Sequence, residues 1–303
     1  MSVEWVAVDW GTTNLRAWMI AADGRIIARQ TAALGVSSVQ KGQFEHTLLD
    51  LIGDRLESDR QTPVVICGMA GARQGWLEAP YVCAPCNPLH PGQAVQPETR
   101  DPRIGVRILT GVMQARPSDV MRGEETQISG YLASHPDFDG VLCLPGTHSK
   151  WVRVSGGCIQ SFRTFMTGEC FNLLATNSVL SHVVAGEGWN APSFIAALKQ
   201  TLSAPQHLTS QLFSIRASAL LEGLDRAQSR SELSGILMGL EIGGAREFWE
   251  KSKTVLIGHD KLVQVYRSAL EAVSAKVETA DGEICTLDGL RRAYDSLKLR
   301  PVA

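Results

Sequence analysis

The stretch VAVDWGTTNLRAWMI, residues 6–20, decides how this chain folds. One apolar run ends in Asp9, the bend Trp10-Gly11-Thr12-Thr13 follows, and Arg16 sits inside a second apolar run. Residues 3–9 read as a buried strand and 14–20 as its neighbour. After the turn signal Ala22-Asp23-Gly24, residues 25–32 read as a third strand. Three strands joined by short turns make an antiparallel meander, not a βαβ unit.

Working outward, Phe44, Leu48, Leu51, Ile52 and Leu56 recur at helical spacing over 43–57, and Pro63-Val-Val-Ile-Cys67 is a short buried strand. A Gly/Pro-rich stretch from 68 to 103, headed by GMAGARQGW, is too long for a neutral connector and is expected to carry function. Residues 106–110 read as a strand and 123–134 as a helix with Ile128, Tyr131 and Leu132 on one face.

The pattern then restarts. Gly140–Leu144 reads as a strand, followed by Pro145-Gly146-Thr147-His148-Ser149, then two strands at 150–155 and 158–165 around Ser155-Gly156-Gly157. A strand, a Gly-Thr loop and a hairpin thus occur twice. This predicts two domains of similar fold, 1–135 and 136–303. Residues 168–250 read mainly as helix, most clearly 235–249, where small residues on one face permit close packing. A strand at 253–257 ends in Gly258-His259-Asp260. A helix at 261–273, a strand at 276–279 and a helix at 286–297 complete the chain.

Composition excludes several classes. The 303 residues are 44% hydrophobic and 20% charged, ample for a core and consistent with two domains. Lys+Arg number 29 against 31 Asp+Glu, a net charge of -2 with no basic run, which argues against nucleic acid as partner. No apolar stretch approaches the ~20 residues that cross a bilayer, and no secretory leader pattern opens the chain. The 7 cysteines are dispersed and read as reduced thiols of a cytoplasmic protein. Cys83-Ala-Pro-Cys86 with His90 nearby falls short of the four ligands of structural zinc and reads as a pair of loop cysteines.

The bend after Asp9 suits an anion. Outward backbone N–H groups make a concave site, glycine lets the backbone approach a phosphate, and threonine hydroxyls add donors. A carboxylate there would repel phosphate unless a divalent cation lies between them, so Asp9 implies Mg²⁺. A plain hairpin turn is the competing reading. Gly146-Thr147 follows a buried strand in the equivalent place of the second repeat, and two such loops could hold a polyphosphate from both sides. Gly258, just past a strand, would let a flat base lie against the backbone.

Together these features resemble the superfamily of sugar kinases, actin and heat-shock chaperone ATPases. The fold class this implies is α/β, with two ribonuclease-H-like (actin-like ATPase) domains and a nucleotide cleft between them. Within it, DWGTTNLRAW (9–18), GMAGARQGWLEAPYV (68–82), MRGEETQ (121–127), LPGTHSKWV (144–152) and FMTGECFNLL (165–174) resemble the 2-dehydro-3-deoxygalactonokinase family. That resemblance implies ATP- and Mg²⁺-dependent phosphorylation of the terminal hydroxyl of 2-dehydro-3-deoxygalactonate. At TGECFNLLATNSVL the chain departs from the expected TGELF followed by a His-Ser pair, at Cys170, Asn172 and Asn177. Drift and a tuned substrate pocket both remain open there.

The resemblance also implies roles. Asp9 would hold the metal. Gly11, Thr12, Thr13, Gly146 and Thr147 would hold phosphates, and Gly258 the adenosine. Arg16 would meet the transferring phosphoryl group. An acid that orients the attacking hydroxyl is expected at the start of a helix ahead of the second loop, which points to Glu124 or Glu125 without separating them. Arg73, with Gly71 and Trp76 shaping its loop, is the first candidate for the sugar-acid carboxylate, and Arg163 and Thr164 are the second. Packing is the alternative for Trp76, and Lys150 reads as a solvated strand residue beside His148. The partners implied are a small sugar acid and ATP, with no membrane and no nucleic acid, and a homodimer is compatible.

Three other functions remain. One is a kinase of another keto-deoxy sugar acid. The second is a polyphosphate or guanosine polyphosphate hydrolase of the same fold, whose Gly-x-Glu-Glu run resembles 123–125. GMAGARQGW has no purpose in it. The third is a chaperone-like ATPase, for which 303 residues leave no peptide-binding module.

Overall fold

The computed structural model describes residues 2–297. Strands β1 (Trp5–Trp10), β2 (Leu15–Ile20) and β3 (Ile26–Ala32) form the expected meander. Helix α1 (Phe44–Ile52) leads to β4 (Thr62–Gly68), short β5 (Tyr81–Cys83), β6 (Ile104–Ile108), β7 (Gly111–Gln114) and β8 (Asp119–Met121), then helix α2 (Glu124–Ser134). The second half opens with β9 (Gly140–Leu144), β10 (Ser149–Ser155) and β11 (Cys158–Phe165). Helices α3 (Thr167–Asn177), α4 (Ser181–Val184), α5 (Ala191–Ser203), α6 (Leu208–Leu221), α7 (Arg226–Gly244) and α8 (Arg246–Trp249) follow. Strand β12 (Thr254–Gly258), helix α9 (Asp260–Glu271), strand β13 (Val277–Asp281) and helix α10 (Gly282–Leu297) end the described chain.

Two five-stranded sheets have the same internal order, β3-β2-β1-β4-β6 and β11-β10-β9-β12-β13. In the first, β2 runs antiparallel to β1 and β3, while β4 is parallel to β1 and β6. In the second, β12 is parallel to both β9 and β13. The architectural repeat read from the two Gly-Thr loops is therefore present, and the α/β ribonuclease-H-like class holds. A third sheet, β5-β7-β8, was not expected. Its strands are too short to show alternation.

The chain forms two compact units. One gathers residues 2–138, Val154–Ser161 and 282–297; the other takes Asp139–Arg153 and Phe162–Asp281. Helix α10, expected with the C-terminal half, thus belongs to the first unit. Alternation along β1 explains its place. Val6, Val8 and Trp10 enter one core with Phe44, Leu48 and Ile66, while Trp5 and Ala7 enter another with Leu287, Leu290 and Ala293 of α10. The Trp5 ring stacks on Tyr294 at 4.3 Å between centroids. Each large apolar side chain buried this way contributes about 1.5–3 kcal/mol.

The helix read at 235–249 is really two. It begins at Arg226, where Asp225 and Gln228 form a reciprocal capping box, and it breaks at Ala245 before α8. The expected close packing of its small face is seen. A side chain at Gly235 would lie 2.3 Å from Phe194 O, and one at Gly239 would lie 2.7 Å from Leu198 O, so α5 crosses α7 nearly backbone to backbone.

Candidate active site

In the first unit, the β1 register sets Asp9 opposite Arg16, and Arg16 Nη1 lies 3.6 Å from Asp9 Oδ2. About a fifth of the Asp9 side chain is open, at 21%. Burial on its other sides raises its pKa, Arg16 opposes that, and the charge of Glu124 raises it again. The Cys67 thiol, paired with Asp9 across β4, points at Oδ1 from 3.9 Å.

Two glycines bring Glu124 within electrostatic reach. Gly68 ends β4 with φ +90, and a Cβ there would sit 2.7 Å from Trp10 O. Gly123 caps α2 with φ +109, and its Cβ would meet Gly68 Cα at 3.3 Å. Only glycine takes these conformations without strain, so the start of α2 abuts the end of β4, which itself lies against Trp10 at the end of β1.

The structure separates the two glutamates. Glu125 is 1% exposed. Gly123 N donates to its Oε2 at 2.7 Å and Thr126 Oγ1 to its Oε1 at 3.2 Å. Burial and the Glu124 charge push its pKa up to about 8, so it is mostly neutral at pH 7. Glu124 is partly exposed, and its Oε2 accepts from Arg122 N at 3.0 Å.

The first loop is held from behind. Gly11 N donates to Asn14 O, while Gly35 N, Val36 N and Ser37 N donate to Thr13 O, Gly11 O and Thr12 O. Thr12 and Thr13 remain exposed. The loop carbonyls are thus occupied, and the loop keeps its hydroxyls on the surface.

The sugar-acid candidates divide. Gly71 is buried against Arg122, whose Nη2 donates to Ala79 O at 2.7 Å and whose guanidinium lies 4.2 Å over the Tyr81 ring. Arg122, not singled out from sequence, therefore ties loop 69–81 to the start of α2. Trp76 is partly buried, packing edge-on against Trp10 and stacking near Phe44. Arg73 is 83% exposed, with Glu78 at 3.7 Å. Arg163 is committed to the α7–α8 junction, where Nη1 meets Glu247 Oε1 at 2.7 Å and Gly244 O at 3.3 Å. Thr164 lies beside it, half-buried on β11.

In the second unit, loop two adjoins a cavity of about 400 Å³. Gly146, Thr147 and Gly168 form one wall, and Leu237, Met238 and Leu262 are among its apolar residues. A Cβ on Gly168 would lie 2.6 Å from Gly146 O, so α3 starts directly on the loop. Gly258, though not part of the cavity wall, sits beside Val263 and Pro145 at the β9 and β12 ends. Asn172 lines the cavity, and Cys170 packs against the apolar cluster of Leu180, Val184 and Leu237, which gives two of the three departures from the family pattern a location. The apolar cavity residues escaped sequence reasoning because they look like ordinary helix core.

Lys150 is 7% exposed, not solvated, and its Nζ donates to His148 O at 3.2 Å. All 7 cysteines are free, and among the described residues no three His, Cys, Asp or Glu side chains are placed to hold a metal. Among those residues no helix is long and apolar enough to cross a membrane.

The sequence profile of the 2-keto-3-deoxy-galactonokinase family matches residues 9–293. The chain is 40% identical over 298 residues to the Rhizobium meliloti (strain 1021) protein named "Probable 2-dehydro-3-deoxygalactonokinase DgoK1", covering 95% of this chain and 96% of that one. It is 33% identical over 294 residues to the 2-dehydro-3-deoxygalactonokinase of Escherichia coli (strain K12), covering 96% and 97%. A Sinorhizobium meliloti crystal structure carrying the same assignment superposes with a TM-score of 0.88 at 40% identity, over 97% of this chain and 99% of that one. By this profile match and these identities, the chain belongs to the 2-keto-3-deoxy-galactonokinase family of sugar-acid kinases.

Proposed function

We propose that the protein transfers the terminal phosphoryl group of ATP to the terminal hydroxyl of 2-dehydro-3-deoxygalactonate. The observation that carries this reading is the meeting of Asp9, Arg16 and Glu124 beside an exposed Gly-Thr-Thr hairpin. Phosphoryl transfer asks for positioning and charge neutralisation more than covalent help. As the hydroxyl oxygen bonds to phosphorus, the bridging bond to the leaving ADP breaks, and the hydroxyl proton passes to Glu124. Arg16 balances charge on the group in transit. In the first unit Thr12 and Thr13 offer hydroxyls to phosphate oxygens; in the second, Gly146 and Thr147 meet them beside the cavity, which takes the base.

Asp9 suits a hard divalent cation. Its carboxyl is raised by burial and by a neighbouring acid, a mismatch that a cation would relieve. Magnesium commonly takes one or two carboxylates and completes its shell with water and phosphate, so the lack of a three-ligand cluster among the described residues is no obstacle. When bound, it would neutralise phosphate charge.

The test is ADP release, in a coupled assay, over a panel of keto-deoxy sugar acids. Turnover should be nearly idle without a sugar acid and greatest with the galactonate-derived one. Equal ATP consumption in the absence of any acceptor would instead mark a hydrolase and overturn the proposal. Arg73, beside Glu78, is an exposed cation of the GMAGARQGW loop. Arg73→Ala should raise the KM for the sugar acid about tenfold, the worth of one charge-assisted hydrogen bond, and leave the KM for ATP unchanged. An unaltered sugar-acid KM removes Arg73 from the pocket.

A further inference from the structure

His148 directly follows the Gly146-Thr147 loop, and its Nε2 shares a short hydrogen bond with Glu169 Oε2. The backbone around the pair is fixed twice over. Glu169 N donates to Thr147 O at 3.0 Å, and Lys150 Nζ donates to His148 O. Yet the two side chains are 44% and 37% exposed. An exposed ion pair contributes little to stability, so folding alone gives no reason for this much restraint.

The direction of the pair is informative. Thr147 and Gly168 line the cavity of the second unit, whereas the adjoining His148 and Glu169 take no part in its wall. The pair therefore flanks the loop outside the cavity wall. A nucleotide with its base in the cavity and its phosphates on Gly146 and Thr147 would carry its last phosphate past the neighbouring residue, His148. Glu169 occupies Nε2, so a phosphate oxygen would be met through Nδ1, which donates when both ring nitrogens carry protons.

We propose that His148 contacts the terminal phosphate of the donor nucleotide, with Glu169 as its positioning residue. This rests on the cavity being the nucleotide site. The test measures binding of AMPPNP and of ADP to His148→Gln and Glu169→Gln by calorimetry, alongside steady-state kinetics. His148→Gln should weaken AMPPNP about tenfold, the loss of one charge-assisted hydrogen bond. It should lower kcat and leave ADP affinity and the sugar-acid KM unchanged. Glu169→Gln should shift the same quantities in the same direction by less.

Equal weakening of AMPPNP and ADP would show that the pair only shapes the loop, and would overturn the proposal. So would a rise in sugar-acid KM with both nucleotide affinities intact. Leu262→Trp, which fills the cavity from its partly open side, separates the two levels of the argument. If it abolishes ADP binding, the cavity reading stands whatever His148→Gln does. If ADP still binds at wild-type affinity, the cavity reading fails and the His148 proposal goes with it.

Discussion

Asp9→Asn is expected to abolish turnover and leave the fold intact. The substitution keeps the shape of the side chain and removes the charge that would tether a cation at the hairpin. A loss of about 10³-fold in kcat corresponds to roughly 4 kcal/mol, the scale of a lost metal contact in a transition state. Stability should not suffer, because the wild-type carboxyl already has a pKa raised by burial. A group so raised favours the native state less as pH climbs, and asparagine removes that effect. Thermal melts at pH 7 should therefore give Asp9→Asn a Tm at or above wild type, with kcat measured across a Mg²⁺ titration. Wild-type turnover at limiting Mg²⁺ would rule out the metal role.

The second large effect separates the neighbouring acids. Glu124→Gln should cut kcat by about 10²-fold or more, the usual worth of a positioned general base, with both KM values little changed. Glu125→Gln should keep turnover of the wild-type order, since that carboxyl is buried and mostly neutral at pH 7. Its signature lies in stability instead. Its folded pKa of about 8 stands above the ordinary 4.5, so the native state holds a proton that the unfolded chain releases. Its stabilising contribution is complete below about pH 4.5 and is lost as pH rises through about 8. Urea midpoints at pH 5, 7 and 9 should fall more steeply for wild type than for Glu125→Gln. If Glu125→Gln is the inactive variant and Glu124→Gln the active one, the roles are reversed.

Much of the frame was legible before any coordinates. Apolar runs in residues 5–32, punctuated by Gly11 and Asp23-Gly24, mark three strands, and the same signals recur at 140–165. The start of α7 was hidden because Arg226-Ala-Gln-Ser-Arg-Ser-Glu is almost wholly polar; its capping box was the missed clue. The site was legible where one short motif carries it, as at Asp9-Trp-Gly-Thr-Thr. It was not legible where partners come from distant segments. Nothing near Arg122 announces that it binds the carbonyl of Ala79, and nothing in Arg163 announces Glu247. Glu124 and Glu125 look interchangeable in sequence; only the backbone at Gly123 decides which one is buried.

The return of α10 to the first unit matters during synthesis. Trp5, Trp18, Val65 and Leu109 lie on a sheet face that Leu287, Leu290 and Ala293 cover. As the chain leaves the ribosome, the lid follows those residues only after the whole segment 110–281 has been made. Until then that face is bare, a sticky surface of the kind that recruits chaperones. The intervening segment has its full set of partners sooner, so the half made first is the half finished second.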